Sequence, residues 1–282
     1  MDPVKLAAGA GAAALVLGGG GYGISILFVN SEMPGYSPFV SSGTGTIKYV
    51  DEYPDYFVDA TKGKNAPWWD WVYKKRYLVD SENKDFDGES RPDPKLSFMN
   101  LNAGSGETSQ SIQKVCEGIF SADKGKVKSG ANQSGEYEEI DVWRYCTAVK
   151  KKPILVEHAK KDGNSATEKE DAEYTEATSY GKQYKSQLVA TSAEENKFFW
   201  KEQQRLFFQV KGNRSGSSSE DTDSIFKKLY DEHKGKKNIP DNVLRDKCRL
   251  AYGKKKDGSG INPKAIESEV FTYCSLKRSK SG

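Results

Sequence analysis

Hydrophobic and polar positions are distributed unevenly along the 282-residue chain. From Leu6 to Val29 there are 24 residues without a charge, seven of them Gly and fifteen aliphatic, Ala or Phe. As a helix rising about 1.5 Å per residue this run reaches roughly 36 Å, enough to cross a hydrocarbon core of about 30 Å with some tilt. Residues 31–66 show no helical period. They carry Pro34, Pro38 and Pro54 among Gly, Ser and Tyr, and read as an irregular lead-in with one strand at Ile47–Val50. Helical faces return further on. Ile112, Val115, Cys116, Ile119 and Phe120 recur at i, i+3, i+4, i+7 and i+8 behind Thr108 and Ser109 as candidate caps. Ile225, Phe226, Leu229 and Tyr230 mark a second face entered from Ser219–Ser224, and Ile266, Val270, Tyr273 and Cys274 a third. Pro67, Pro240 and Pro263 suit first helical positions, the last behind Asn262 as a cap.

The chain also resembles itself. Glu139-Ile-Asp-Val-Trp-Arg-Tyr-Cys-Thr147 aligns with Glu267-Ser-Glu-Val-Phe-Thr-Tyr-Cys-Ser275, with four of nine positions identical and three closely substituted. Upstream, Trp71 stands five residues before Arg76, and Trp200 five before Arg205. Trp71 to Cys146 is 75 residues and Trp200 to Cys274 is 74, with one further cysteine, Cys116 or Cys248, inside each interval. The order Trp, Cys, Tyr-Cys thus occurs twice at one spacing, as a tandem duplication would leave it. Trp71, Trp200, Tyr145 and Tyr273 are the anchors of this repeat. The expected architecture is mainly α: an N-terminal transmembrane helix at 1–30, a lead-in at 31–66, a first Trp/Cys helical module at 67–159, a polar linker at 160–193 and a second module at 194–278.

Four cysteines allow three pairings. The repeat favours Cys116 with Cys146 and Cys248 with Cys274, each bridge staying inside one module; four buried free thiols are the competing reading. The disulfides are conditional on export, because bridges persist in oxidising compartments. Lys5 precedes the apolar run and no Lys or Arg follows until Lys48, so the positive-inside bias keeps the N-terminus cytoplasmic and exports the rest. The location expected is therefore the plasma membrane, single-pass through residues 6–29, with the C-terminal part extracellular. A cleaved signal peptide is the alternative.

Composition narrows the chemistry. The 43 basic and 40 acidic side chains are interspersed, which leaves no one-signed patch for nucleic acid. Gly18-Gly-Gly-Gly-Tyr-Gly23 matches G-x-G-x-x-G in letters, but it lacks the preceding β-branched strand and the later acidic residue of a dinucleotide site. Gly19 and Gly23 fit close helix packing in a membrane instead. No C-x-x-C occurs, and His158 and His233 are not at zinc-ligand spacing. Both histidines read as surface residues, and Asp85–Glu89 lacks the ligand series of a calcium loop. Asn132-Gln-Ser and Asn213-Arg-Ser are glycosylation acceptors only in a eukaryotic secretory pathway. The Trp68-Trp-Asp-Trp71 cluster suits carbohydrate or membrane contact, but core packing is preferred because Trp200 holds the matching place. No catalytic, metal or cofactor site is expected. The alternative is an exported hydrolase whose site is assembled from dispersed residues.

The Met1-Asp-Pro-Val-Lys-Leu6 start, the Gly/Ala-rich apolar segment, the Trp-Lys/Arg stretches and the Tyr-Cys-Thr/Ser motifs together resemble the paralogous uncharacterised surface proteins of haemotropic mycoplasmas. That resemblance implies a wall-less bacterium displaying variable proteins towards host red cells. The partners it implies are a host-cell surface or antibody, and the roles are adhesion or immune evasion. It carries no catalytic residues over to this chain.

Overall fold

A computed structural model describes residues 33–40, 48–53, 55–81, 93–160, 168–255 and 263–280. The apolar run at 6–29, Asn262 and Asp85–Glu89 lie outside them, and among the described residues no helix is long and apolar enough to cross a membrane. The protein is mainly helical and carries two disulfides, Cys116–Cys146 and Cys248–Cys274, with Cα–Cα distances of 5.6 and 5.8 Å.

The helices in chain order are α1 (Ala66–Val72), continued through a π-helical turn (Tyr73–Tyr77) into α2 (Leu78–Ser81), then α3 (Ile112–Ser121) and α4 (Glu139–Cys146). The second half holds α5 (Tyr180–Gln183), α6 (Lys197–Phe207), α7 (Ile225–His233), α8 (Val243–Tyr252) and α9 (Glu267–Cys274). A two-residue parallel pair, β1 (Val127–Lys128) with β2 (Tyr137–Glu138), precedes α4.

Local chemistry sets several of these boundaries. The Ser111 hydroxyl, rather than Thr108 or Ser109, caps α3 by accepting from the Lys114 amide at 3.2 Å. Ser224 caps α7 through the Phe226 and Lys227 amides. Pro67 occupies the first turn of α1, whereas Pro240 and Pro263 lie ahead of α8 and α9 rather than inside them. Of the strand expected at Ile47–Val50, Lys48 makes a single antiparallel bridge to Asp123, and the chain then turns into a 3₁₀ helix, Tyr49–Glu52.

Buried side chains of both halves belong to one continuous core. The same contacts also recur in both halves, and this repetition reaches into segments without helical period. The Val58 amide donates to the Cys146 carbonyl (3.1 Å), and the Val189 amide to the Cys274 carbonyl (3.0 Å). Asn65 fastens the start of α1 by donating to the Ser37 and Asp59 carbonyls and accepting from the Ser37 amide. Asn196, seven residues after Val189 as Asn65 is after Val58, makes the same three bonds to Ile154 and Ala190. Tyr53 meets Trp143 edge to face at 5.0 Å, and Tyr184 meets Phe271 at 5.0 Å.

The segment expected as a lead-in is therefore part of the folded body, with Tyr56, Phe57 and Val58 at most 2% exposed. The stretch expected as a polar linker also folds. Glu170 is fully buried there, and its carboxylate accepts from the Tyr174 hydroxyl and from the amides and hydroxyls of Thr191 and Ser192, at 2.7–3.1 Å. A carboxylate with five donors is satisfied inside a core, which its acidic sequence context does not reveal.

Candidate functional site

The two Tyr-Cys motifs end α4 and α9, where the last carbonyls of each helix have no partner within the helix. Tertiary donors meet them. Arg76, 5% exposed, donates from Nη1 to the Arg144 and Thr147 carbonyls (both 2.7 Å) and from Nη2 to that of Ala148 (3.2 Å). Arg214, 2% exposed, reaches the corresponding carbonyls of Thr272 (2.9 Å), Ser275 and Leu276 (both 2.8 Å). The Thr147 hydroxyl turns back to the Trp143 carbonyl at 2.5 Å, and the Ser275 hydroxyl to that of Phe271 at 2.7 Å. A planar guanidinium with five fixed donors can serve three carbonyls together while placing positive charge at the helix's negative end. Each disulfide joins the same helix end to the preceding long helix. Cystine, arginine fork and the backbone bond from Val58 or Val189 thus converge on one point in each half.

These contacts change how the repeat is registered. Trp200 stands four residues after Asn196, and the residue four after Asn65 is Trp69, not Trp71. Trp69 and Trp200 are both buried and pack edge to face against the preceding aromatic, Trp68 at 4.7 Å and Phe199 at 4.9 Å. Trp71 is half-buried on the next face, its ring 5.1 Å from the Arg76 guanidinium. Arg205, matched to Arg76 by spacing, instead pairs with Glu202 at 2.6 Å and lies 5.3 Å from the Tyr36 ring. The residue eleven after Asn196 is the buried Phe207, against Arg76 eleven after Asn65. The second arginine arrives from the loop after α6, and no periodic pattern marks it.

Tyr145 and Tyr273 are buried and packed on Phe98 (5.2 Å) and Phe226 (5.0 Å). The Tyr145 hydroxyl donates to Asp80 (2.8 Å) and that of Tyr273 to the Ser215 carbonyl (3.2 Å). Burial raises both phenols, Tyr145 also through Asp80, so they remain protonated donors. Asp80 forms a buried pair with Arg144, Nη2 to Oδ1 at 2.6 Å. Burial, with Arg144 nearby, pulls Arg76 down to about 9, which leaves it a cation at neutral pH.

The buried carboxylates are engaged in packing. Burial raises Asp141 to about 7 while it accepts from the Lys95 amide at 2.8 Å. Glu269, three residues into α9 as Asp141 is into α4, is also raised by burial and accepts from Ser219 and Ser224. His158 is exposed and lies 3.3 Å from Glu157, while the His233 ring packs 5.9 Å from Phe208. Among the described residues no group of three His, Cys, Asp or Glu is placed to hold a metal.

Two concavities lie where the halves meet. One, of about 30 Å³, is lined by Tyr36, Asp55, Arg205, Gln209 and Arg214, and the unpartnered Gln209 amide nitrogen is among its walls. Its size suits a single water. The other is an open groove of about 450 Å³ between Tyr53, the crossing segment at Lys152–Pro153, Gln187 and the C-terminal stretch Ser275–Lys277. No family model, curated protein or solved structure matches the chain.

Proposed function

We propose that the chain is a tandem duplication of one disulfide-closed helical module, held at the plasma membrane by residues 6–29 and displayed outside the cell as a non-catalytic interaction or antigenic protein. The observation that carries this reading is the pair of disulfides, each local to one half, since such bridges persist where the compartment is oxidising. The repeated arginine fork at α4 and α9 supports duplication. The uncharged 24-residue run supports the anchor. The resemblance to surface proteins of haemotropic mycoplasmas supports a host-cell surface or antibody as partner. The buried carboxylates and tyrosines are consumed by core hydrogen bonds, which favours binding over catalysis.

Protease shaving of intact cells that make the protein tests the display. Tryptic peptides from residues 67–278 should be released from whole cells. Their protection in intact cells, with cleavage only after lysis, would overturn the reading.

A further inference from the structure

The chain enters the folded body close to the end of the apolar run. Val29 closes that run and Met33 opens the described structure, with three residues between them. Fully extended, this tether spans at most about 14 Å. A lipid headgroup layer takes up about 5–7 Å of that length. A compact chain of this size has a radius of gyration of about 19 Å, so the tether is short beside the body it holds. With residues 6–29 in a bilayer, the side of the body that carries Met33 is therefore turned to the lipid surface and kept near it.

Val40 and Val210, 79% and 77% exposed, are the two most exposed large apolar side chains among the described residues. They border one surface. Tyr36, three residues after Met33, lines the small concavity between the halves together with Pro38 and Gln209. Val40 lies two residues beyond Pro38 in an extended stretch bonded to Phe57 and bridged to Val58, where residues two apart point the same way. Val210 directly follows Gln209 on the other rim, and Lys211 beside it is exposed. One exposed valine is ordinary surface. Here two of them, with a lysine, stand on the side that the tether turns to the bilayer. Apolar side chains at such a boundary enter the headgroup region while ammonium groups stay with the phosphates. We propose that this face rests on the surface of the membrane that holds residues 6–29, with Val40 and Val210 entering the headgroup boundary and Lys211 meeting lipid phosphates. The proposal adds a lipid surface to the partners and rests on the anchor in the reading above.

The contact is tested on the full-length chain in phosphatidylcholine vesicles, with one added cysteine, Val210→Cys or Val40→Cys, carrying an environment-sensitive nitrobenzoxadiazole dye. The native cysteines are all bridged and do not take the label. Leu250→Cys on α8, at a side chain 50% exposed, is the reference position. At positions 40 and 210 the emission should shift to the blue, and phosphatidylcholine with a nitroxide headgroup should cut it at least twofold. The label at 250 should change little. Absence of quenching at 40 and 210, or equal quenching at 250, would overturn the contact. A blue shift without quenching by the lipid nitroxide would also overturn it, and would give the face to a second copy or to residues 6–29 of the same chain. Protein that floats with the vesicles but shows no quenching refutes the contact alone. Protein that does not float with them refutes the anchor, and the contact with it.

Discussion

Asp55 belongs to the first half of the chain but completes the second. Its carboxylate accepts from Arg214 Nε at 2.9 Å and lies 3.0 Å from Arg278 Nε, while Arg214 keeps its other nitrogens on the carbonyls at and just beyond the end of α9. Arg76, by contrast, draws all its acceptors from its own half. Asp55 has φ 76°, a left-handed conformation that Asn tolerates and β-branched residues do not, so Asp55→Asn removes the charge with little backbone penalty. The guanidinium side chain is 1% exposed and the carboxylate 13%, so water cannot substitute for the lost charge. Breaking a buried ion pair costs about 3–5 kcal/mol, and the amide oxygen still accepts one bond, so about 2 kcal/mol is expected. Urea unfolding gives the total. Hydrogen exchange locates it, because faster exchange is expected in α9 of the second half, away from the mutated residue in sequence. A loss below about 0.5 kcal/mol, or one confined to residues 48–81, would refute the view that the first half neutralises the second half's core arginine.

Two further outcomes follow from particular residues. Burial raises Asp141 from 3.8 to about 7, so between those values the folded chain holds a proton that the unfolded chain has released. Stability therefore falls as pH rises from about 4 to about 7, by at most about 4 kcal/mol from this group, and is level above. Asp141→Asn should flatten that portion of the pH profile in urea melts at pH 5 and pH 8; an unchanged slope counts against it. A Cβ on Gly104 would lie 2.3 Å from the Trp69 carbonyl oxygen and 2.6 Å from Asp70 Cα, both backbone atoms. Gly104→Ala should cost roughly 1–3 kcal/mol and lower the melting temperature, while Gly125→Ala, with open space around it, should stay within about 0.5 kcal/mol. Equal melting temperatures would refute that close approach.

The parts of this architecture legible in sequence are those with local signatures. Cys116, Cys146, Cys248 and Cys274 repeat at a near-constant interval beside Tyr145 and Tyr273, so the repeated motif points to the pairing that the structure shows. The face of α3 has a 3.6-residue period. The segments around Phe57, Val58, Leu188 and Val189 are not legible as core, because they attach by single bridges and amide bonds rather than by a long ladder. Such attachment leaves no alternating pattern. The buried Tyr53, Tyr56 and Tyr184 beside them are of a type ambiguous between inside and surface. The register of the tryptophans slipped by two because Arg76 and Arg205 share a spacing without sharing a role. The better signal is Val58, Asn65 and Trp69 against Val189, Asn196 and Trp200, identical in type and interval. Its force comes from asparagine, whose amide can donate twice and accept once at a chain crossing.

The proposed export and the repeated cystine-closed fold meet in the redox state of the four cysteines. Each bridge closes a separation of 30 or 26 residues and contributes about 3.5 kcal/mol by loop entropy. Mass mapping of the full-length protein, alkylated in intact cells before lysis and digested without reductant, reads that state directly. Linked peptides joining Cys116 to Cys146 and Cys248 to Cys274, with no alkylated thiol, are expected. Four alkylated cysteines, or a bridge between the halves, would contradict it.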